Sequence, residues 1–125
     1  MSTTTLPDPL RESLVSASRT AIGDDLRSLV YFTPDEFEQL YLRSDLERGA
    51  ALDAFVENER HGVDAQQTYG DTELGDYEYT VRAFSHGYVV RVMHGDRGAF
   101  ATTDRMPIAQ FEEVATAMRK VLAEK

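Results

Sequence analysis

The sequence predicts an α+β domain in which an antiparallel sheet carries amphipathic helices on its faces. In the C-terminal half, three short segments with strand-like patterns follow one another and are separated by tight turns, as in an antiparallel meander. Near both ends of the chain, apolar residues recur at spacings of three and four, which is typical of helices that bury one side. We therefore expect helices that pack against an antiparallel sheet around one core.

The N-terminal part begins with a short polar tail. Residues 1–7 are mostly small and polar and include a proline, so we expect a disordered tail followed by a single domain over residues 8–125. The first helix should begin at Asp8 and end near Gly23, because Leu10, Leu14, Ala17 and Ala21 recur at helical spacing. Residues 26–32 are rich in β-branched and aromatic side chains toward their end, which predicts a strand.

The segment after this strand has two interpretations. Residues 33–36 could begin a helix, with a capping threonine, a proline at the first helical position and acidic residues in the first turn. The same residues suit a turn between two antiparallel strands, of which residues 37–43 would be the second. Local chemistry favours the helix slightly, so residues 34–43 remain open between strand and helix.

A second helix is predicted by one apolar stripe and by a glycine after it. Gly62 should end this helix, because glycine readily adopts the left-handed conformation that terminates helices, and His61 would lie in the last turn. Residues 63–76 contain two glycines and many polar residues and should form a connector. The stripe consists of Leu46, Ala50, Leu52, Phe55 and Val56.

The meander and the last helix complete the chain. Strands are expected at residues 77–83, 88–94 and 99–103, with turns at residues 85–87 and 95–98 between them. The final helix should open at Pro107. Its predicted buried face consists of Ile108, Phe111, Val114, Ala115, Met118, Val121 and Leu122.

The charge of the chain is strongly one-sided. Twenty-two acidic residues oppose 13 basic ones, which gives a formal net charge of -9, and Lys120 and Lys125 are the only lysines. In molar salt the Debye length falls to about 3 Å, so the repulsion between carboxylates is screened. The composition therefore indicates a protein of a halophilic cytoplasm. A negative chain also disfavours binding to nucleic acid, and no apolar run is long enough to predict a membrane span.

No motif in the sequence predicts a catalytic residue, a cofactor or a metal. The chain has no cysteine, which excludes disulfides and thiolate chemistry. The histidines His61, His86 and His94 lack the spacing of metal ligands, and no serine lies in a nucleophile-elbow motif. Adjacent acidic residues are expected by chance in so acidic a chain, so we expect them on the solvated surface. The sequence predicts a protein that is not an enzyme.

Several segments nevertheless resemble a family of short, acidic, uncharacterised proteins from halophilic archaea. They are residues 26–31, 38–46, 79–87, 89–92 and 98–104. The resemblance implies that residues 37–43 form a strand, which gives a five-stranded antiparallel sheet and the element order α-β-β-α-β-β-β-α. This order is similar to that of the roadblock and profilin-like folds. Roadblock domains typically dimerise through edge strands, and the equivalent edge here would be residues 77–81 beside the second helix.

Two functional hypotheses follow from the predicted fold and the missing chemistry. The first is an interaction or regulatory domain that forms a homodimer and binds an unknown protein partner, with an interface at Tyr77, Tyr79, Val81 and Tyr88, since tyrosine is favoured at interfaces. The alternative is a small-molecule sensor. Its pocket between sheet and helix would be lined by Phe84, Val90, Phe100 and Phe111.

Overall fold

The computed structural model describes residues 6–46, 52–66 and 73–124. Within them, a five-stranded antiparallel sheet carries three α-helices in the predicted order α-β-β-α-β-β-β-α. The helices are α1 (Asp8–Ile22), α2 (Leu52–Gln66) and α3 (Phe111–Leu122). The strands are β1 (Leu26–Phe32), β2 (Phe37–Leu42), β3 (Thr80–Phe84), β4 (Gly87–His94) and β5 (Arg97–Asp104).

The strands lie in the order β2-β1-β5-β4-β3, so β2 and β3 form the two edges of the sheet. The prediction that β1 and β2 form a hairpin is confirmed. Thr33, which could have capped a helix, instead closes the turn: its hydroxyl accepts the Glu36 N–H at 3.2 Å, and its own N–H donates to the Glu36 carbonyl at 2.9 Å. Val30 pairs with Gln39 and Leu29 pairs with Tyr41, so β2 contains a bulge.

One face of the sheet is closed by α1 and α3, which pack on each other and on the strands. The apolar stripe of α3, which the sequence predicts, buries together with every second side chain of the three central strands. This face forms the larger core. Its residues include Leu14 of α1, Phe111 and Met118 of α3, and Tyr31 and Val90 of the sheet.

The opposite face of the sheet is packed by α2. Val56 is fully buried against a smaller apolar cluster formed by Val30, Phe32, Val89 and Phe100. Phe55 stacks on Phe100, with 5.4 Å between ring centroids and an interplanar angle of 15°. The helices are therefore divided between the two faces, as the sequence predicts.

The prediction that α2 ends at Gly62 is wrong, because the helix continues to Gln66. A Cβ atom at position 62 would lie 2.5 Å from Nη1 of Arg91 and 2.7 Å from Nη2 of Arg82. The glycine therefore makes room for two guanidinium groups rather than terminating the helix. Leu46 precedes α2 instead of belonging to it, and Ala50 lies outside the described residues.

Several predicted boundaries also need correction. The third strand begins at Thr80 and not at residue 77. A 3-10 turn over Ile108–Gln110 precedes α3, so Ile108 is 64% exposed rather than buried. Leu6, which we placed in the tail, is buried in the larger core, while residues 1–5 lie outside the described residues. Of the predicted connector, residues 63–66 belong to α2, and residues 67–72 lie outside the described residues.

None of the helices that the structure describes has the length and apolar character of a membrane span.

Candidate interaction surface

A buried ion pair joins α2 to the sheet. Glu59 on α2 is 0% exposed and Arg91 on β4 is 1% exposed. Nη1 of Arg91 donates to the Glu59 carboxylate at 3.1 Å and to the Glu59 backbone carbonyl at 2.8 Å. Buried charges are costly unless they are paired and hydrogen-bonded, so the position of Glu59 over β4 is tightly specified.

The same carboxylate reaches the edge strand β3. Nε of Arg82 donates to Glu59 at 2.9 Å, and Nη2 of Arg91 donates to the Thr80 hydroxyl at 3.0 Å. The Tyr77 hydroxyl lies 2.9 Å from the same Thr80 hydroxyl. We call Glu59, Arg82, Arg91 and Thr80 the Glu59 network. It fixes α2 relative to β3, and the partly exposed Arg82 brings it to the surface.

The outer side of β3 presents backbone hydrogen-bonding groups. Phe84 pairs with Gly87 across a two-residue turn, and Arg82 pairs with Val89. Because an antiparallel pair alternates between hydrogen-bonded and non-hydrogen-bonded positions, the N–H and C=O groups of Val81 and Ala83 point away from β4. Among the described residues, no strand pairs with this side of β3.

The structure places three of the four predicted interface residues at or just before this edge. Tyr79 and Val81 are half-buried against the larger core, and Tyr77 is half-buried beside the Glu59 network. Tyr88 differs, because it is 6% exposed and packs edge-on against Phe111 with 5.0 Å between ring centroids. Tyr88 therefore lies in the core and is not accessible as an interface residue.

The structure does not bring the four predicted pocket residues together. Val90 pairs with Ala101 and Arg91 pairs with Phe100, so Phe100 shares a face of the sheet with Arg91 and not with Val90. Val90 and Phe111 consequently lie in the larger core under α1 and α3, while Phe100 lies under α2. The predicted pocket does not exist as one site.

A different cavity, of about 390 Å³, lies beside α2 on its face of the sheet. Phe84 and Phe100 line this cavity. The sequence predicted both as pocket residues, but together with Val90 and Phe111, which are not among its lining residues. Ser28, Gln39 and Thr102 also line it and were missed. Ser28 gave one usable signal, since it is a small polar residue in a strand whose other residues, apart from Arg27, are apolar or aromatic. We call this cavity the Phe100 cavity.

A cluster of ion pairs ties the end of β2 to the end of β5. Asp104 accepts hydrogen bonds from Nη1 of Arg43 at 2.6 Å and from Nη1 of Arg27 at 2.9 Å. Both bonds lower the pKa of the Asp104 carboxyl group below its usual value, and the bond from Arg43 has the larger effect. Arg43 also pairs with Asp45 at 2.7 Å and lowers the pKa of that carboxyl group in the same way.

The histidines are scattered over the fold. His61 is exposed on α2 and lies before the last turn of the helix, His86 is in the turn between β3 and β4, and His94 ends β4. In the part of the chain that the structure describes, no group of three or more histidine, aspartate or glutamate side chains could hold a metal ion.

The sheet order and the placement of the helices define a roadblock or profilin-like fold. The chain belongs to the family described as a domain of unknown function, DUF7522, whose model matches residues 12–123. No curated protein matches the sequence.

Solved structures with the same fold include two of MglB and one of MglC. The gliding protein MglB from Thermus thermophilus aligns with a TM-score of 0.65 and 10% identity over 97% of this chain and 96% of its own. MglB in a tetrameric arrangement aligns with a TM-score of 0.65 and 12% identity over 97% and 96% of the two chains. MglC from Myxococcus xanthus gives a TM-score of 0.54 and 11% identity over 90% and 99%. At these identities the similarity establishes the fold alone.

Proposed function

We propose that the protein is a non-enzymatic interaction or regulatory domain that acts as a homodimer. The observation that carries this proposal is the β3 edge, whose outward backbone groups at Val81 and Ala83 can pair with a second copy of the same strand. In a two-fold dimer each copy would contribute the same surface, so β3 would lie antiparallel to its equivalent. The tetrameric arrangement of MglB supports self-association in this fold.

The attachment of α2 to β3 adds a second element to this surface. Because the Glu59 network holds α2 beside β3 on one face of the sheet, the α2 helices of two copies would meet next to the paired strands. Glu57 is exposed on α2, and each copy carries a formal net charge of -9. Two such copies would repel each other in dilute buffer, so the dimer should be stronger at high salt.

Light scattering of the wild type and of two variants at position 83 tests the homodimer. Ala83→Pro removes the outward N–H without breaking the β3–β4 pairing, since proline is tolerated at strand edges. Ala83→Ser keeps the N–H and serves as the control. The wild type and the serine variant should have the mass of a dimer in molar KCl, and the proline variant should be a monomer with an unchanged circular dichroism spectrum. A wild type that stays monomeric at millimolar concentration in molar KCl would overturn the proposal.

We also propose that the protein works in a halophilic cytoplasm. The net charge of -9 and the presence of only two lysines support this. Self-repulsion should fall as salt screens the carboxylates, so the melting temperature should rise as KCl increases to molar concentration. A melting temperature that levels off below about 0.3 M KCl, where the Debye length is already well under 10 Å, would argue against halophilic adaptation.

Small-molecule sensing is a second candidate function, and the Phe100 cavity favours it. A ligand that binds the folded protein at about a hundred times its dissociation constant adds about 2.7 kcal/mol to stability. At least one compound of a broad metabolite panel should therefore raise the melting temperature in native salt. No response across the panel would count against sensing and would leave the homodimer untouched.

A further inference from the structure

The Phe100 cavity lies on the face of the sheet that carries α2, and Phe55 of α2 lines it. Beyond Phe55, Glu59 contacts β3 and β4, and Arg60 reaches the turn between β1 and β2, where it donates to the Thr33 and Glu36 carbonyls at 2.8 and 3.0 Å. In the other direction, from Phe55 to the turn between β3 and β4, the cavity opens. Its volume of about 390 Å³ falls within the usual range for small-molecule sites.

The walls of the cavity are aromatic. Phe55 and Phe100 form one stacked pair, with 5.4 Å between ring centroids. Phe84 lines the cavity from β3 and is 53% exposed, so much of its ring is open to solvent or to a ligand. A flat ring in the cavity would cover Phe84 and add a further stacked or edge-on contact to the Phe55–Phe100 pair.

The polar side chains among the described lining residues include a pair of hydroxyl groups. The Ser28 and Thr102 hydroxyl oxygens lie 2.6 Å apart, so one donates to the other. One O–H remains available as a donor, and lone pairs on both oxygens remain available to accept a ligand N–H. Gln39 adds an amide that can both donate and accept. Arg27, a cationic side chain among the described lining residues, is already paired with Asp104 at 2.9 Å. His86 also lines the cavity, from the exposed turn between β3 and β4. A negatively charged group placed between the aromatic rings would find the Arg27 guanidinium already paired, whereas a neutral polar group would find partners at the hydroxyl pair and at Gln39.

From these observations we infer that the Phe100 cavity binds a small, flat, uncharged aromatic molecule that carries a hydrogen-bonding group, such as a heteroaromatic ring with an N–H. The ring packs against Phe84, Phe55 and Phe100, and its polar group bonds to the hydroxyl pair of Ser28 and Thr102. This inference rests on the sensing candidate and is independent of the homodimer.

Three probes test the inference on the isotope-labelled full-length protein in native salt. Indole supplies a ring and an N–H, 1-methylindole supplies a ring without the N–H, and inorganic phosphate supplies charge without a ring. Indole should give saturable amide shifts at Ser28, Phe100 and Thr102. Indole should bind about fivefold more tightly than 1-methylindole, because one hydrogen bond typically strengthens binding by about this factor. Phosphate should leave these amides unchanged.

Two variants and a control separate the ring contacts from the polar contacts. The double variant Ser28→Ala/Thr102→Val removes both hydroxyl groups of the pair and should remove the difference between indole and 1-methylindole. Phe84→Ala should weaken both probes about tenfold, and because Phe84 is exposed the fold should be retained. Ile108→Ala should change nothing, because it removes an apolar side chain that is 64% exposed and lies outside the cavity lining.

The outcomes distinguish the ligand class from the sensing function. An absence of saturable shifts with indole up to its solubility limit, or shifts outside the cavity, would overturn the inference. If a charged or non-aromatic metabolite shifts the same amides and stabilises the protein, sensing stands and the aromatic ligand class is wrong.

Discussion

The two faces of the sheet are packed in different ways. Under α1 and α3 the contacts are almost entirely apolar, and Leu14, Val90 and Phe111 are completely or almost completely buried. Under α2 the contacts combine a small aromatic cluster, the buried Glu59–Arg91 pair and an open cavity. The first face is built as a core, while the second is built from directional contacts.

This difference indicates that the two faces contribute differently to the protein: one mainly to stability and the other mainly to the positions of α2 and β3. Apolar burial is non-directional and gives stability, whereas buried ion pairs contribute little net stability and specify one arrangement of the groups that form them. The α2 face therefore holds α2 and β3 in one relative position and leaves space for a ligand. We expect substitutions on the two faces to have different consequences.

The largest effect should come from the α1/α3 face. Phe111→Ala removes a ring that is 1% exposed and packs against Tyr88. Such a truncation typically costs about 3–5 kcal/mol, because it loses burial and leaves a cavity. Urea unfolding at constant molar KCl measures the change in the free energy of unfolding. A loss below about 1 kcal/mol would show that this face is not the main source of stability.

Breaking the Glu59 network should have the next largest effect. Glu59→Gln leaves the Arg91 guanidinium buried without its carboxylate and should cost about 3 kcal/mol. Glu57→Gln is the matched control on the same helix, because Glu57 pairs with Arg60 at an exposed site and such pairs contribute about 0–1 kcal/mol. If the two substitutions lower the free energy of unfolding equally, the buried ion pair is no more important for stability than the exposed one.

The Glu59→Gln variant also tests what the network positions. If the network holds α2 against β3, the variant should weaken the homodimer more than Glu57→Gln does when both are compared by light scattering at a protein concentration where each remains folded. If the dissociation constant of the dimer is the same in both variants, the Glu59 network does not position the dimer interface.

The smallest effect should come from the ion pairs at the end of the sheet. The pKa of Asp104 is lower in the folded protein than in the unfolded chain, so Asp104 stabilises the fold above the unfolded pKa of about 3.9. This contribution is lost as pH falls through the lower folded pKa. The wild type should therefore exceed Asp104→Asn in stability at pH 7, by well under 1 kcal/mol because the group is partly exposed. This difference should shrink as the pH falls below about 4. Urea unfolding of both proteins at matched salt, from pH 7 down to about pH 3, measures the difference in their free energies of unfolding. A difference that grows on acidification would contradict the predicted direction of the pH dependence.

The sequence predicted the fold well where local periodicity decides the structure. The apolar run of β4 and the helical spacing of α3 are both strong local patterns. For β2 the pattern was insufficient, because Thr33 can close either a helix or a turn, and the pairing of Phe32 with Phe37 decides between them. The end of α2 was misjudged for a related reason: the role of Gly62 depends on Arg82 and Arg91, which are distant in sequence.

The candidate site was less predictable than the fold. Glu59 looks like one more acidic residue of an acidic helix, and its partner on β4 cannot be identified without the register of the sheet. Arg91 carried a signal that could have been used, because it interrupts an otherwise apolar strand. The predicted pocket failed because residues 90 and 100 belong to opposite faces, and this follows from the β4–β5 register alone.

Hydrogen exchange at the outer side of β3 tests the homodimer most directly. In the dimer, the amides of Val81 and Ala83 donate to a second copy, so their exchange in molar KCl should be slow at high protein concentration and should accelerate on dilution. The amide of Arg82, which faces β4, should change much less. If the Val81 and Ala83 amides exchange rapidly at every protein concentration, β3 is not the dimer interface and the proposed function is wrong.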